Sequence, residues 1–237
     1  MATQVHSPST AELSQVGRHA AWFAFGSIVA FAIPYIGGSL LDLQHDLFYG
    51  FYFAATLALL AAYVRVEHVD VRAVFTRNWR WSVAIGAVAA LAVTRNVLAN
   101  ADATPRPHGA YFLFELLWRG VGYGSIDALL LTAFPCVLAY ALLRGRIGGI
   151  VGRARYIAVA LPLIMVITAT YHLGYPQFRE DGVGQPEAGN AIISVPALLT
   201  ANPIGSIGAH ASMHVAAVSH AYETPTFLPP QTSVTSK

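Results

Sequence analysis

Long apolar runs separated by short polar segments dominate the chain, and about 20 apolar residues suffice to cross a bilayer. Runs of that kind cover residues 19–41, 47–64, 81–98, 126–143, 156–172 and 204–221. Two shorter apolar stretches, residues 111–120 and 188–201, predict half-helices. The pattern predicts an all-α polytopic integral membrane protein, with about six full transmembrane helices plus one or two half-helices.

The half-helices follow from two expected breaks in the apolar pattern. Residues 109–143 exceed the length of one straight span, and the glycine-rich segment at residues 120–124 predicts a break there. Asn202 and Pro203 predict a second break. Broken helices at membrane depth are tolerated where they line a cavity, and both breaks lie beside ionisable residues. A cavity site is therefore expected.

The chain is predicted to divide into four parts. Residues 1–17 and 222–237 are polar and rich in Ser, Thr or Pro, which predicts disordered tails. Three N-terminal transmembrane helices are expected within residues 18–98, and a helical core within residues 109–221.

Composition supports a membrane protein and narrows its partners. Charged residues make up 11% of the chain, against about 25% in soluble domains. The expected partner is thus the lipid bilayer. Thirteen arginines and one lysine fall in short clusters between apolar runs, which is typical of topology signals and does not favour nucleic-acid binding. The single cysteine, Cys136, excludes an intrachain disulfide.

The clusters of charge predict the orientation. Residues 65–80 and 144–155 are rich in arginine and are expected in the cytoplasm, while the acidic loop at residues 174–187 is expected on the other side. With both arginine-rich loops in the cytoplasm, the number of membrane crossings between these two loops is even. Both termini are then predicted to be cytoplasmic. The predicted location is the inner (plasma) membrane.

Five ionisable residues fall inside apolar segments: Glu115, Arg119, His172, His210 and His214. A charge at the centre of a membrane helix costs roughly 2.5–3.5 kcal/mol, so such residues usually face a polar interior and mark function. Glu115 and Arg119 are four residues apart, as are His210 and His214, so each pair shares a helix face. We expect all five to converge on one cavity.

Each group also has a structural interpretation. Glu115 and Arg119 could form a neutral ion pair that holds two helices together, or Arg119 could orient Glu115 toward water, metal or substrate. His172 could be a hydrogen-bonded group at the membrane interface. His210 and His214 could converge on one ion or one substrate group.

The order of these residues resembles the CAAX-protease and bacteriocin-processing membrane protein family. Its motifs are Glu-Glu-xxx-Arg, Phe-xxx-His and His-xxx-Asn/Asp. Residues 114–119, 168–172 and 210–214 match them in order, within a resemblance that covers residues 111–221. Three positions differ: Phe114 replaces the first glutamate, Thr168 the phenylalanine, and His214 the Asn or Asp.

The resemblance implies peptide-bond hydrolysis in a membrane cavity, on a peptide or prenylated-protein substrate, with Glu115, Arg119, His172, His210 and His214 as catalytic residues. Glu115 or a histidine would activate water, and a histidine would contact the oxyanion. Phe114 stands where that family has its usual base, so slow or absent peptidase activity is expected.

Two other classes remain open from the residues alone. Glu115, His172, His210 and His214 together suit a divalent metal such as zinc, or iron or copper, in an enzyme or a purely structural site. The cluster could also serve a non-proteolytic transport, immunity or scaffold protein, as a proton relay or an ion pair.

Overall fold

The computed structural model describes residues 10–224, with side chains from residue 14, and every regular element in that range is a helix. Helix α1 (Thr10–Ile33) continues as a π-helical segment, Pro34–Leu40. The helices that follow are α2 (His45–Val66), α3 (Val71–Thr76), α4 (Trp79–Asn100), α5 (Gly109–Leu142), α6 (Gly149–Leu173), α7 (Pro176–Asp181), α8 (Gly184–Thr200) and α9 (Ile204–His220).

Five of these helices are long and apolar enough to cross a membrane: α1 with its π-helical extension, α2, α4, α5 and α6. The prediction of an all-α polytopic membrane protein is therefore confirmed. Helix α1 begins inside the predicted N-terminal tail, at Thr10. Residues 1–9 and 225–237 of the two predicted tails lie outside the described residues.

Helices α8 and α9 form a hairpin that turns at Asn202 and Pro203, where the sequence predicted a break. Each has 17 residues, or about 26 Å of helix. The Asn202 amide donates hydrogen bonds of 2.7 Å to the carbonyl oxygens of Phe75 and Arg77, which fixes the turn to the C-terminal end of α3.

The break expected at residues 120–124 is wrong. Helix α5 runs without interruption from Gly109 to Leu142 and contains two π-helical segments, Leu116–Tyr123 and Leu129–Ala133. The glycines serve close packing: a Cβ at Gly124 would lie 2.7 Å from the Cα of Ala211 in α9. Two helix backbones that approach so closely require glycine, and the helix itself needs no interruption.

The two ends of the described chain lie at opposite ends of the helix bundle. Near the start of α1, Arg18 contacts Glu67 at 3.3 Å, whereas the carbonyl oxygen of His220 accepts a bond of 3.0 Å from Thr104 N. Helix α4, about 33 Å long, separates the segment that follows Glu67 from the loop that contains Thr104. The described chain therefore starts and finishes at opposite ends of the bundle, because α8 runs from one end to the other. The expectation that both termini are cytoplasmic stays a prediction, since residues 225–237 lie outside the described residues.

Each end of the bundle has its own charge. We call the end with residues 67–78 and 143–148 the arginine end; it carries Arg72, Arg77, Arg144 and Arg146. The opposite end, with residues 101–108 and 174–183, is called the acidic end and carries Asp102, Glu180 and Asp181 beside two arginines. The Arg144 side chain donates to Gln15 at 3.1 Å, so the start of α1 belongs to the arginine end.

Helices α4 and α9 cross in very close contact. A Cβ at Gly205 would lie 1.9 Å from the carbonyl oxygen of Ser82, and one at Gly86 would lie 2.5 Å from the Cα of Gly205. The Ser82 hydroxyl donates to the carbonyl oxygen of Asn202 at 2.7 Å and accepts from Gly205 N at 3.0 Å. Small residues and interhelical hydrogen bonds are what drive helix association inside a bilayer.

We predict that Gly205→Ala destabilises the protein by roughly 1–3 kcal/mol, because the added methyl group must push α4 and α9 apart. The measurement is the melting temperature of the detergent-solubilised protein. Gly208→Ala is the matched control: it lies on the same helix, and a Cβ there would meet nothing within 4 Å. Equal melting temperatures for the two variants would contradict this account of the crossing.

Candidate functional site

A buried carboxylate on α5 meets two buried histidines on α9. Asp127 Oδ2 lies 3.0 Å from His210 Nε2 and 3.8 Å from His214 Nε2. The two imidazole rings are parallel, with centroids 5.1 Å apart. The prediction that these histidines share one helix face is confirmed, and both present Nε2 to the same carboxylate oxygen.

The local structure of α5 explains how Asp127 reaches this position. Residues Gly124–Ala128 form an α-helical segment between the two π-helical segments, and π-helical turns often occur at functional sites. Gly124 then lets α5 approach α9 closely, one turn of helix before Asp127. The carboxylate thereby reaches the histidine face of α9.

The second oxygen of the carboxylate is bound from a third helix. The Tyr52 hydroxyl on α2 donates a hydrogen bond of 2.6 Å to Asp127 Oδ1. Both residues are buried. An outer hydrogen bond of this kind orients a carboxylate, and here it directs Oδ2 toward the histidines.

Asp127, His210 and His214 have the geometry of a metal-binding group. One ligand atom from each lies within 4.8 Å of the others. A tetrahedral zinc site with bonds of 2.0–2.2 Å places its ligands about 3.4 Å apart, between the two distances measured from Asp127 Oδ2. Two imidazoles and one carboxylate also form a donor set that suits zinc or iron. These three residues could therefore hold a metal ion.

The group opens into a cavity of about 390 Å³. Six helices, α4 to α9, contribute to its walls, and Asp127, His172, His210 and His214 line it. His172 Nδ1 lies 2.8 Å from the carbonyl oxygen of Thr168, so Nδ1 carries the proton and donates it. That bond leaves His172 Nε2 as the nitrogen that can accept a proton.

Three tyrosine hydroxyls form a chain along the cavity wall. Tyr123 and Tyr171 are joined by a hydrogen bond of 2.7 Å, and Tyr171 and Tyr175 by one of 3.0 Å. The Tyr123 ring also contacts the His214 ring edge-on, with centroids 4.7 Å apart. Burial raises the pKa of the Tyr175 hydroxyl well above its ordinary value, so this member of the chain stays protonated.

Glu115 and Arg119 do not line the cavity. Asp127 follows Glu115 by twelve residues on the same helix, or about 18 Å along a straight α-helix axis. The expectation of one cavity for all five predicted residues is wrong for this pair. The predicted metal set also changes: the structure brings His210 and His214 together with Asp127, while His172 lines the same cavity outside this group.

Glu115 and Arg119 form a separate ionic cluster, as their structural interpretation expected. Arg119 pairs with Glu115 and lies 3.6 Å from Asp46 Oδ1 on α2. Tyr222, just after α9, donates a hydrogen bond of 3.1 Å to Glu115 and lies under the guanidinium. Burial raises the pKa of the Tyr222 hydroxyl, which keeps it a donor. The cluster joins α2 and α5 to the end of α9.

Asp127 is the site residue that sequence reasoning missed. It lies one residue into a predicted span, Ile126 onward. The cost of a charge is lower at the end of a span than at its centre, so the sequence signal for Asp127 was weak. Its partners could not be identified in this way, because the histidines follow it by more than 80 residues.

Comparisons with protein-family models, curated proteins and solved structures found no match. The function of this site therefore has to be inferred from its own chemistry.

We predict that the purified protein binds one zinc or cobalt ion, and that Asp127→Asn, His210→Ala and His214→Ala each weaken binding roughly 100-fold or more, since each removes a ligand. The measurement is a titration followed by metal analysis and by Co²⁺ absorption. Glu115→Gln is the control, because it changes an acid on the same helix outside the metal-binding group. Unchanged binding in all three ligand variants would rule this site out.

We also predict that Tyr52→Phe weakens metal binding by about 10–100-fold, because Asp127 loses the hydrogen bond that orients it. Isothermal titration with Zn²⁺ measures the change. The matched control is Tyr63→Phe, which removes another buried hydroxyl of α2, one that bonds to His19 at 3.2 Å. If the two variants bind zinc equally well, Tyr52 does not orient the carboxylate.

Proposed function

We propose that this protein is a membrane-embedded hydrolase, in which Asp127, His210 and His214 hold a divalent metal such as zinc next to the substrate cavity. The observation that carries the proposal is the group of three buried ligand atoms at the wall of that cavity. Three protein ligands leave a further coordination position open, which distinguishes catalytic zinc sites from structural ones. The reaction would be hydrolysis of an acyl bond, in an amide or an ester.

The bound metal would supply Lewis acidity and lower the pKa of a water molecule. His172 is the candidate general base, because its Nδ1–H is held by Thr168 and its Nε2 is available to accept a proton. In the proposed reaction, water oxygen bonds to the carbonyl carbon and its proton passes to His172. The bond to the leaving group then breaks, and the proton on His172 passes to that group.

The tyrosine chain supports stabilisation of the negative oxygen that forms during hydrolysis. Three hydroxyls carry three protons, and the two hydrogen bonds among Tyr123, Tyr171 and Tyr175 use two of them. One hydroxyl proton is left for another acceptor. If the chain is oriented toward Tyr123, that proton lies beside the metal-binding group and can be donated to the developing oxyanion.

The proposal keeps part of the resemblance to the CAAX-protease and bacteriocin-processing family. In that family the first glutamate of the first motif is taken as the base that activates water, and Phe114 occupies its position in this chain. We infer that Asp127, further along the same helix, provides the carboxylate that meets the histidines. Membership of the family remains part of the proposal, and a peptide or prenylated protein remains one candidate substrate beside a long-chain acyl ester.

A second candidate function has a specific contact in its favour. The distance of 3.0 Å between His210 Nε2 and Asp127 Oδ2 is that of an ordinary hydrogen bond. Without a metal, these two groups would form a buried proton relay, as in membrane transporters. The metal titration separates the two candidates, because a relay needs no bound ion.

The proposed location is the inner (plasma) membrane, with the arginine end in the cytoplasm. Positively charged loops are retained on that side. The loops of the arginine end carry four arginines against two acids, Glu67 and Asp70, whereas those of the acidic end carry three acids against two arginines. The acidic end would then face outward, and the cavity would lie nearer to it.

We predict that the zinc-loaded protein in nanodiscs cleaves at least one of three substrates: a prenylated peptide, a leader-type peptide or a long-chain acyl ester. Asp127→Asn should abolish cleavage, and His172→Ala should lower kcat about 10²–10⁴-fold, the usual contribution of a general base. Product formation is measured by mass spectrometry.

Glu115→Gln and Cys136→Ala are the controls, and both should retain activity within a few-fold. Zinc-dependent cleavage that survives Asp127→Asn would contradict the proposed site. Absence of cleavage in a protein that binds zinc at Asp127 would favour a non-enzymatic metal protein.

A further inference from the structure

The cavity has an opening on the side of the helix bundle, between α4 and α8. Its exposed lining residues define the rim: Ala92 and Asn96 on α4, and Gln185, Ala188 and Ile192 on α8. Ala92 is eight residues from the end of α4, about 12 Å from the acidic end, and Ala188 is about 6 Å into α8. Half of the hydrocarbon core is about 15 Å thick, so the rim lies within one leaflet.

The surface around the rim has the character of a lipid-facing surface. Val88 and Leu91 on α4 are 68% and 71% exposed, and Val195 on α8 is 37% exposed. Side chains of this kind are stable when they face acyl chains. The opening therefore connects the cavity with the interior of the membrane.

The inner wall favours an uncharged occupant. None of the described residues that line the cavity is Lys or Arg, so away from the histidines and the metal that they would hold, an anionic headgroup would have no cationic side chain to bind. Val93, Leu131, Ile193 and Met213 provide an apolar surface between the rim and the metal-binding group.

The same wall offers little to a peptide backbone. Apart from Tyr175, every described lining residue belongs to a helix, and only Phe178, Gln185 and Pro186 lie in a first turn, where N–H groups have no partner within the helix. An extended peptide along this surface would leave amide groups without partners, at a cost of several kcal/mol for each group in a membrane. An acyl chain has no such groups.

We propose that the cavity binds the long acyl chain of an uncharged ester or amide, which enters from the membrane between α4 and α8 and places its carbonyl group at Asp127, His210 and His214. This inference rests on the proposed function and specifies its substrate class. The polar rim residues Asn96 and Gln185 lie nearer to the acidic end, where the polar part of such a lipid would be.

The test uses hydroxamates, which bind metal ions directly, with the Co²⁺-loaded protein in nanodiscs. Dodecanohydroxamate should change the Co²⁺ spectrum at concentrations at least 100-fold lower than acetohydroxamate. Ala92→Trp and Ile192→Trp narrow the rim. Each should weaken the binding of dodecanohydroxamate at least 10-fold and change the binding of acetohydroxamate little. Because partitioning into the membrane is the same for every variant, this loss reports on the rim itself.

Ala87→Trp is the matched control, since Ala87 is exposed on α4 and does not line the cavity. A leucine-rich peptide hydroxamate tests the competing substrate class and should bind no better than acetohydroxamate. Three outcomes would overturn the inference. They are an equal loss of affinity for both acyl hydroxamates in the rim variants, no loss of affinity in either rim variant, and tight binding of the peptide hydroxamate.

Failure of the inference and failure of the proposed function give different results. A protein that does not take up Co²⁺ contradicts the proposed function before any hydroxamate is added. A protein that takes up Co²⁺ at Asp127 but binds acyl probes without regard to chain length or rim contradicts the acyl-chain inference alone.

Discussion

Asp127 places a carboxylate in the middle of an apolar helix bundle, and the packing of three helices around it follows from that charge. Charge is costly there unless hydrogen bonds and counter-charges surround it. Tyr52 from α2 and His210 and His214 from α9 meet that requirement. Three helices far apart in sequence are thereby brought to one point, and a group that could hold a metal ion results from the same contacts.

Close helix packing makes those contacts reachable. Gly124 brings α5 against α9, and Gly86 with Gly205 brings α4 against α9. Side chains as short as Asp require such approaches, because a carboxylate extends only a few ångströms from its backbone. The glycines thus act on the site through helix separation, and the π-helical segments of α5 adjust which face of the helix Asp127 occupies.

The Glu115 and Arg119 cluster meets the same constraint in another way. There Arg119 pairs with Glu115 and also lies near Asp46, and Tyr222 closes the cluster from the end of α9. The Glu115–Arg119 pair neutralises itself and does not line the cavity beside Asp127, which favours a structural role. Its position at the end of α9 would stabilise the helix that carries both histidines. Two ionic groups on one helix thus have different surroundings and different expected roles.

Apolar run lengths and charge clusters determined the helical membrane fold, the main spans and the turn at Asn202, because these depend on local transfer energies and backbone chemistry. The spacing of His210 and His214 likewise placed them on one face. The tertiary structure alone decided that α5 is continuous, that α8 crosses the bundle, and that Asp127 replaces Glu115 beside the histidines. Those outcomes depend on contacts between helices that are separated by many residues. A local sequence pattern does not indicate which of these helices lie close together in the folded bundle.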